Sequence, residues 1–384
     1  MKKVLVLLFT LGLTCGASAA DMISPNAKLK VVAEGKGCKV YYQQQQVLDI
    51  SELGCAGSQI QKVGKAHHVT ADYHMLTGKR LHCTNEANEY QLKLTNNVTV
   101  VMRLYNDGIA FRYDALPKKE TTSYRIPQGT KRWLQKWADS YEGFFPQTTS
   151  ATDGRWGYPA LLEPVDGVFA LLTEANICKG QAGSSLHSKG EIYQVVPEQS
   201  SNAMPSPWRV AIIGKLADVV ESTLVTDVSE PCKIADISWI HPGTVSWVYW
   251  AYNHGSNDYN IIKKYVDMAV TLQLPYVLID AEWDEMKDGK TVEDAVNYAK
   301  SKGIKPLIWY NSSVGWVNGA PGPKFRLNKP EDREKEFAWC EKIGVAGVKI
   351  DFFSGDTQQN MDYCIDLLES AAKHHLLVNF HGDL

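Results

Sequence analysis

Cysteine is scarce in this sequence and spaced badly for chemistry. The 384 residues include 8 cysteines. They contain no Cys-x-x-Cys pair and no zinc-ligand spacing, which argues against a structural zinc module. Cys15 lies in the N-terminal apolar segment. The other seven are Cys38, Cys55, Cys83, Cys178, Cys232, Cys340 and Cys364, an odd set that cannot pair completely within one chain. Export would permit a disulfide among Cys38, Cys55 and Cys83. Cys340 and Cys364 fall on amphipathic helical patterns and read as buried thiols. A surplus of one charge is also missing: 40 Lys+Arg against 43 Asp+Glu leave a formal charge of -3, with no sign of a nucleic-acid partner. Beyond the N-terminus no stretch is long and apolar enough to span a bilayer. No Gly-x-Gly-x-x-Gly follows the first strand of the α/β region, so a dinucleotide fold loses ground.

What is present begins with "MKKVLVLLFTLGLTCGASAA". Two lysines, an apolar run and a small-residue Ala-Ser-Ala-Ala stretch read as a secretory signal peptide over residues 1–20. A periplasmic or secreted protein is expected. Lipid attachment at Cys15 is the less favoured alternative, because Gly12-Leu13-Thr14 is a poor lead-in.

Residues 21–240 read as a large β-sandwich. "KLKVVAEGKGCKVYYQQQQVLDISELG" and "YQLKLTNNVTVVMRLYNDGIAFRYDAL" alternate apolar and polar residues, with turn signals at Asn96-Asn97 and Asn106-Asp107-Gly108. "VDGVFALLTEANI" and "PWRVAIIGKLADVVESTLV" are each expected to add a strand pair. From residue 241 to 384 the rhythm becomes strand–helix alternation with near-continuous apolar strands, which means a parallel sheet covered by helices. Val292, Ala295, Val296 and Ala299 share one helical face. Pro330 suits a helix's first turn and Gly344 its end. The expected strands end in Trp250, Asp280 to Trp283, Trp309 to Asn311, Asp351 and His381. A β/α-barrel holds its active site at that end. Five strands do not close an eight-stranded barrel, so a (β/α)8 TIM-type barrel with only about its first five strands present is expected, with an open sheet as the alternative.

"GVKIDFFSGD" places Lys349 and Asp351 on one face of a strand, with Val348 and Ile350 on the other. A neighbouring ammonium favours the charged carboxylate, which suits a nucleophile and not a general acid. On the residues alone, a structural Lys–Asp pair reads equally well. Eleven tryptophans supply ring faces for sugars, or equally for a core.

Several motifs carry a resemblance: "YEGFFPQ", "RWGYPALLE", "LLTEANI", "YVLIDAEW", "GVKIDFF" and "VNFHG". In this order they resemble glycoside hydrolase family 97, exported bacterial α-glycosidases with a sandwich followed by a barrel. The resemblance implies a retaining α-galactosidase acting on an oligosaccharide or glycoside, with Asp351 as nucleophile at the end of the fourth barrel strand. It puts the acid/base glutamate on a later strand, outside these 384 residues. It also implies a calcium ion, with Glu174 of "LLTEANI" as a ligand. Asp280, Trp309, Asn311, Lys349 and His381 would line the sugar site, and Trp283 would stack on the sugar or else belong to the core. Glu282 is the fallback catalytic partner. "HGDL" departs from the family's usual continuation and suggests truncation. Two other functions stand beside this one. An inverting α-glucosidase needs a carboxylate after the fifth-strand histidine, where this chain has Gly382. A non-catalytic carbohydrate-binding protein would need the aromatics but not Asp351.

Overall fold

The computed structural model describes residues 20–198, 204–253 and 255–382. The expected signal peptide up to Ala19, Cys15 within it, and Asp383-Leu384 lie outside the described residues.

The N-terminal part stacks two antiparallel sheets, one of eight strands and one of ten. Alternating residues of both turn inward: Val31, Val40 and Ile50 from the first meet Val100, Met102, Phe111 and Leu172 from the second in one buried cluster. Strands with one face to solvent, such as Leu29–Glu34, therefore show a two-residue apolar period, whereas Trp208–Gly214 is buried along its length. Asn96 and Asn97 both adopt positive φ (62° and 58°), turning the hairpin between His82–Leu94 and Thr99–Tyr105. Asn tolerates this left-handed region better than most residues.

One expected strand pair is different. Trp208–Gly214 is a strand, but Leu216–Glu221 and Leu224–Asp227 are short helices. Asp218 Oδ2 accepts the Lys215 N–H at 2.8 Å. Val219 of the first helix, with Leu224 and Val228 of the second segment, covers the outer face of the ten-stranded sheet. Leu216 and Val220 are exposed, so the expected second strand of this pair is replaced by helix without a continuous apolar face. None of the seven described cysteines is in a disulfide, so the expected disulfide among Cys38, Cys55 and Cys83 does not form. Cys340 and Cys364 are buried, as expected.

The C-terminal part is a parallel sheet of five strands: β1 (Val245–Trp247), β2 (Tyr276–Ile279), β3 (Lys305–Asn311), β4 (Gly347–Asp351) and β5 (Leu377–His381). Helices α1 (Tyr259–Thr271), α2 (Val292–Ser301), α3 (Pro330–Ile343) and α4 (Gln358–Lys373) connect them. The Asp258 and Thr291 side chains cap α1 and α2, accepting backbone N–H groups of the first turn. Pro330 opens α3, and Gly344 closes it in the left-handed conformation.

Strand order is sequential, β1-β2-β3-β4-β5. Right-handed crossovers then put every helix on the same face of the sheet. Val277, Ile279, Ile308, Tyr310, Val348 and Ile350 pack on that side with α1 to α4. The alternate residues point to the other face. There the register aligns Trp309 with Lys349 and Asn379, and Asn311 with Asp351 and His381. The expected first strand is shorter than its apolar run: it ends at Trp247, and Trp250 beyond it is 81% exposed. Among the described residues no helix is long and apolar enough to cross a membrane.

Candidate active site

The helix-free face of the sheet holds a buried charged cluster at the C-terminal ends of β2 to β5. Lys349 is its centre. Its Nζ lies 3.2 Å from Asp351 Oδ2 and 3.4 Å from Asp280 Oδ2. It also sits 4.6 Å from the centre of the Trp247 ring. All three charged residues are under 5% exposed. One ammonium thus serves two buried carboxylates.

Asp351 is held by donors on both oxygens. Oδ1 accepts the Phe352 N–H at 2.8 Å and pairs with His381 Nδ1 at 3.1 Å. Oδ2 accepts the Trp309 indole N–H at 3.0 Å and faces Lys349. Burial alone would push the Asp351 carboxyl up. Lys349, then the hydrogen bond from Trp309, then His381 outweigh it and hold the group below the usual carboxylate range. Phe352 reaches Asp351 from a left-handed backbone, φ 64°, a conformation that costs a bulky residue energy. The aromatic edges of Trp309 and Trp316 pack on its ring.

A cleft of about 430 Å³ runs along this face from Tyr276 and Leu307 up to Lys349 and His381. It gives access to Lys349 and His381, two of the residues that touch Asp351. Gly382 follows His381 at φ 65°, and a Cβ there would stand 3.1 Å from Asp351 Oδ1. A carboxylate side chain at 382 would crowd Asp351, in a backbone conformation that side chains resist.

The structure brings together Asp351, Lys349, Asp280, Trp309 and His381. Asn311 is beside them in register, but its amide is engaged by its own loop: Oδ1 accepts Ser313 N–H at 2.7 Å, and Nδ2 donates to Trp316 and Pro321 carbonyls. Asp280 is likewise occupied, accepting from Ala281 N–H, Trp247 Nε1 and Lys349. Trp283 is not at the cleft. It is 3% exposed, stacks on Trp339 of α3, and donates its indole N–H to the Trp309 carbonyl at 2.6 Å. The sugar-stacking expectation for Trp283 is therefore corrected to core packing. The chain leaves β2 through Glu282 at φ 67°, so strand alternation no longer governs where Trp283 points. Trp247 is a further residue of the cluster: the apolar run continues to Trp250, but β1 ends at Trp247, which sets that ring beside Lys349.

Glu174 lies in the sandwich, on strand Val168–Ala175. Its Oε1 accepts Ser184 N–H at 2.7 Å. Its Oε2 accepts Ser184 Oγ–H at 2.7 Å and Arg209 Nη1–H at 2.6 Å. Arg209 also grips Glu120 with two N–H groups, so one guanidinium serves two carboxylates, Glu120 buried and Glu174 nearly so. Burial is the largest influence on Glu174, opposed by Arg209 and Ser184 and reinforced by Asp356, and pushes it up to about 7. Asp356 comes from the loop after β4. Its carbonyl accepts the Gly183 N–H at 3.0 Å, and the Tyr141 hydroxyl donates to its carboxylate. A Cβ on Gly183 would stand 2.6 Å from Asp356 Cβ and 3.2 Å from Glu174 Oε1, so the two carboxyl groups are close neighbours. Asp356 Oδ1 is buried without a hydrogen-bond partner. Among the described residues no group of three or more His, Cys, Asp or Glu surrounds a common metal position.

Family models match both parts of the chain. Glycosyl-hydrolase 97 N-terminal covers residues 22–231, and glycoside hydrolase 97 covers residues 239–384. The chain belongs to glycoside hydrolase family 97. Among curated proteins it is 31% identical to a probable retaining alpha-galactosidase of Streptomyces bingchenggensis, over 74% of this chain and 46% of that protein. It is 24% identical to a retaining alpha-galactosidase of Bacteroides thetaiotaomicron, over 78% of this chain and 53% of that protein. This family 97 chain thus spans about half the length of the curated relatives it matches. Among solved structures, a beta-arabinopyranosidase superposes with a TM-score of 0.84 at 26% identity, covering 95% of this chain and 67% of that one. A family 97 enzyme from Pseudoalteromonas sp. strain K8, in complex with acarbose, gives 0.82 at 19% identity over 95% of this chain and 66% of that one, a likeness of fold.

Proposed function

We propose that this chain carries the nucleophile of a retaining α-galactosidase, and that the nucleophile is Asp351. The observation that carries the reading is the buried carboxylate kept ionised by Lys349 and fixed by donors on both oxygens. An ionised carboxylate at the end of a barrel strand suits nucleophilic attack on the anomeric carbon. Asp351 would displace the leaving oxygen, forming a covalent glycosyl ester. Water would then attack the same carbon, and two inversions give net retention. Lys349 and Trp309 keep Asp351 unprotonated and aimed, and His381, the exposed edge of the cluster, would meet a sugar hydroxyl. Asp280 shares the Lys349 ammonium and has both oxygens engaged, so it does not serve as the acid. The reading assigns no acid/base to the residues of this chain. Gly382 in the position of an inverting base supports retention.

The sequential strand order supports reading the five-stranded sheet as part of a (β/α)8 barrel. The lysine-led N-terminus supports export. Calcium belongs to the same reading. Glu174 and Asp356, two close carboxylates of which one has an orphaned buried oxygen, fit part of an oxygen ligand set of six to eight. Bound there, calcium would orient the group that protonates the leaving oxygen.

A second reading rests on the beta-arabinopyranosidase likeness. β-L-arabinopyranose has the ring stereochemistry of α-D-galactose without the hydroxymethyl group, so the same nucleophile would serve. Aryl α-galactoside, aryl β-L-arabinopyranoside and aryl α-glucoside separate these specificities. Their good leaving groups scarcely need an acid. Release that disappears in Asp351→Asn and returns in Asp351→Ala with azide, as the β-galactosyl azide, is the expected result. Release that persists in Asp351→Asn discards Asp351 as nucleophile.

A further inference from the structure

The loop after β3 bears directly on the peptide that follows Asp351. We propose that Trp316 of that loop is a positioning residue. With Ser312 and Gly315 it clamps Phe352 in the left-handed conformation that aims the Phe352 N–H at Asp351 Oδ1, and so fixes the direction of the carboxylate.

The local sequence would not hold this turn unaided. β4 is extended up to Asp351, and Phe352 then reverses to φ 64°. Glycine takes that region freely, whereas a phenylalanine there must be imposed by its surroundings. The loop grips both the backbone and the ring. The Phe352 carbonyl accepts the Ser312 Oγ–H at 2.8 Å and the Gly315 N–H at 3.0 Å. Ser312 also donates its N–H to the Asp351 carbonyl at 2.8 Å. Two consecutive residues are thus tied to one loop. The approach is as close as a glycine permits: a Cβ on Gly315 would stand 2.4 Å from the Phe352 carbonyl oxygen and 2.5 Å from that of Phe353. The Phe352 ring is held edge-on between Trp309, with centres 5.7 Å apart, and Trp316, at 4.9 Å.

Trp316 is itself anchored, although 52% exposed. Its indole N–H donates to the Asn318 carbonyl at 2.7 Å, and its own carbonyl accepts the Asn311 Nδ2–H at 3.3 Å. Asn311, the β3 residue in register with Asp351, therefore braces the support. A reacting group displaced by about 1 Å can lose roughly a hundredfold in rate, so the aim of Asp351 matters. That consequence rests on the reading of Asp351 as nucleophile. The clamp does not. The titratable groups facing Asp351 are Lys349 of its own strand and His381 of β5, with Asp280 of β2 beyond Lys349. Trp316 carries no charge, so its loss would change the titration of Asp351 through the Phe352 N–H.

The test follows the Asp351 carboxyl by carboxyl-carbon NMR across the acid range, its signal assigned by its loss in Asp351→Asn, alongside release from aryl α-galactoside. In Trp316→Ala the Asp351 midpoint should rise by about one pH unit, a roughly tenfold loss of acidity. The kcat should fall at least about tenfold, with KM within about twofold of the parent. Trp316→Leu takes its place should the alanine variant fail to fold. Adding Phe352→Gly to either should return the midpoint to that of Phe352→Gly alone, because glycine holds the left-handed turn without a clamp. A midpoint that stays in place in the folded Trp316 variants overturns the proposal. So does a rise in KM at unchanged kcat, which would make Trp316 a sugar contact, and so does a shift that Phe352→Gly leaves uncorrected. A chain that releases no phenolate but shows the shift and its rescue keeps the clamp and counts against the glycosidase reading.

Discussion

Replacing Lys349 with methionine removes the one cation between two buried carboxylates. At 3.2 Å and an effective dielectric of about 20, the lost attraction to Asp351 is on the order of 5 kcal/mol, with a similar loss to Asp280 at 3.4 Å. Measured losses on breaking buried ion pairs run about 3–5 kcal/mol, because the survivor is left charged and dry. The variant is therefore expected to melt on the order of 10 °C lower at pH 7. The pH dependence should change sign as well. In the parent, Asp351 is held below its ordinary range. Its stabilising contribution is full above the unfolded carboxylate range and is lost as pH falls through the lower folded value. Without Lys349, burial dominates and the folded value rises. Asp351 then stabilises the fold only when protonated, and stability is lost as pH rises through the new value. Melting curves from pH 4 to 8 read both slopes, and the acid limb of aryl glycoside release should move to higher pH in the variant. A Lys349→Met chain that melts within 2 °C of the parent at pH 7, with the same slope and limb, would refute the argument that Lys349 sets the charge of Asp351.

Trp309→Phe keeps the ring but removes the indole N–H from Asp351 Oδ2. A hydrogen bond to a charged group is worth about 1.5–3 kcal/mol, so kcat should fall roughly ten- to a hundredfold, with KM changed little, in steady-state kinetics. Glu174 is pushed from 4.5 up to about 7, so its neutral form is the stabilising one. That contribution is full below the unfolded value and is lost as pH rises through about 7. Ionising it in place opposes folding by about 3 kcal/mol. Melting temperature should fall across that window, and millimolar calcium should flatten the fall if Glu174 and Asp356 take the ion. Trp283→Ala should cost about 3–5 kcal/mol as a core truncation with no loss of sugar affinity in the folded fraction; a selective affinity loss at unchanged melting temperature would return Trp283 to the cleft.

How far the sequence could be read follows from which forces are local. The α2 face of Val292, Ala295, Val296 and Ala299, the Pro330 start and the Gly344 stop are all set by neighbours within a turn or two, and the structure has them as written. Two-residue alternation likewise put Lys349 and Asp351 on the helix-free face. Where alternation ended, inference from it failed. β2 stops at Ile279 and the backbone turns at Glu282, which sends Trp283 into the core. β1 stops at Trp247, which makes Trp247 and not Trp250 the ring beside Lys349. In "KLADVVE" the apolar residues fit a strand or a helix, and only the sheet face beneath Val219 decides between them. The least legible features join distant parts of the chain. Asp280 meets Lys349 across 69 residues, and Tyr141 meets Asp356 across 215. Such pairs form because the register between parallel strands and the docking of the sandwich on the loop after β4 bring them together. A carboxylate's charge state depends on those partners. The sequence therefore showed where Asp351 stands more surely than what keeps it ionised, and the chemistry proposed for it depends on the second.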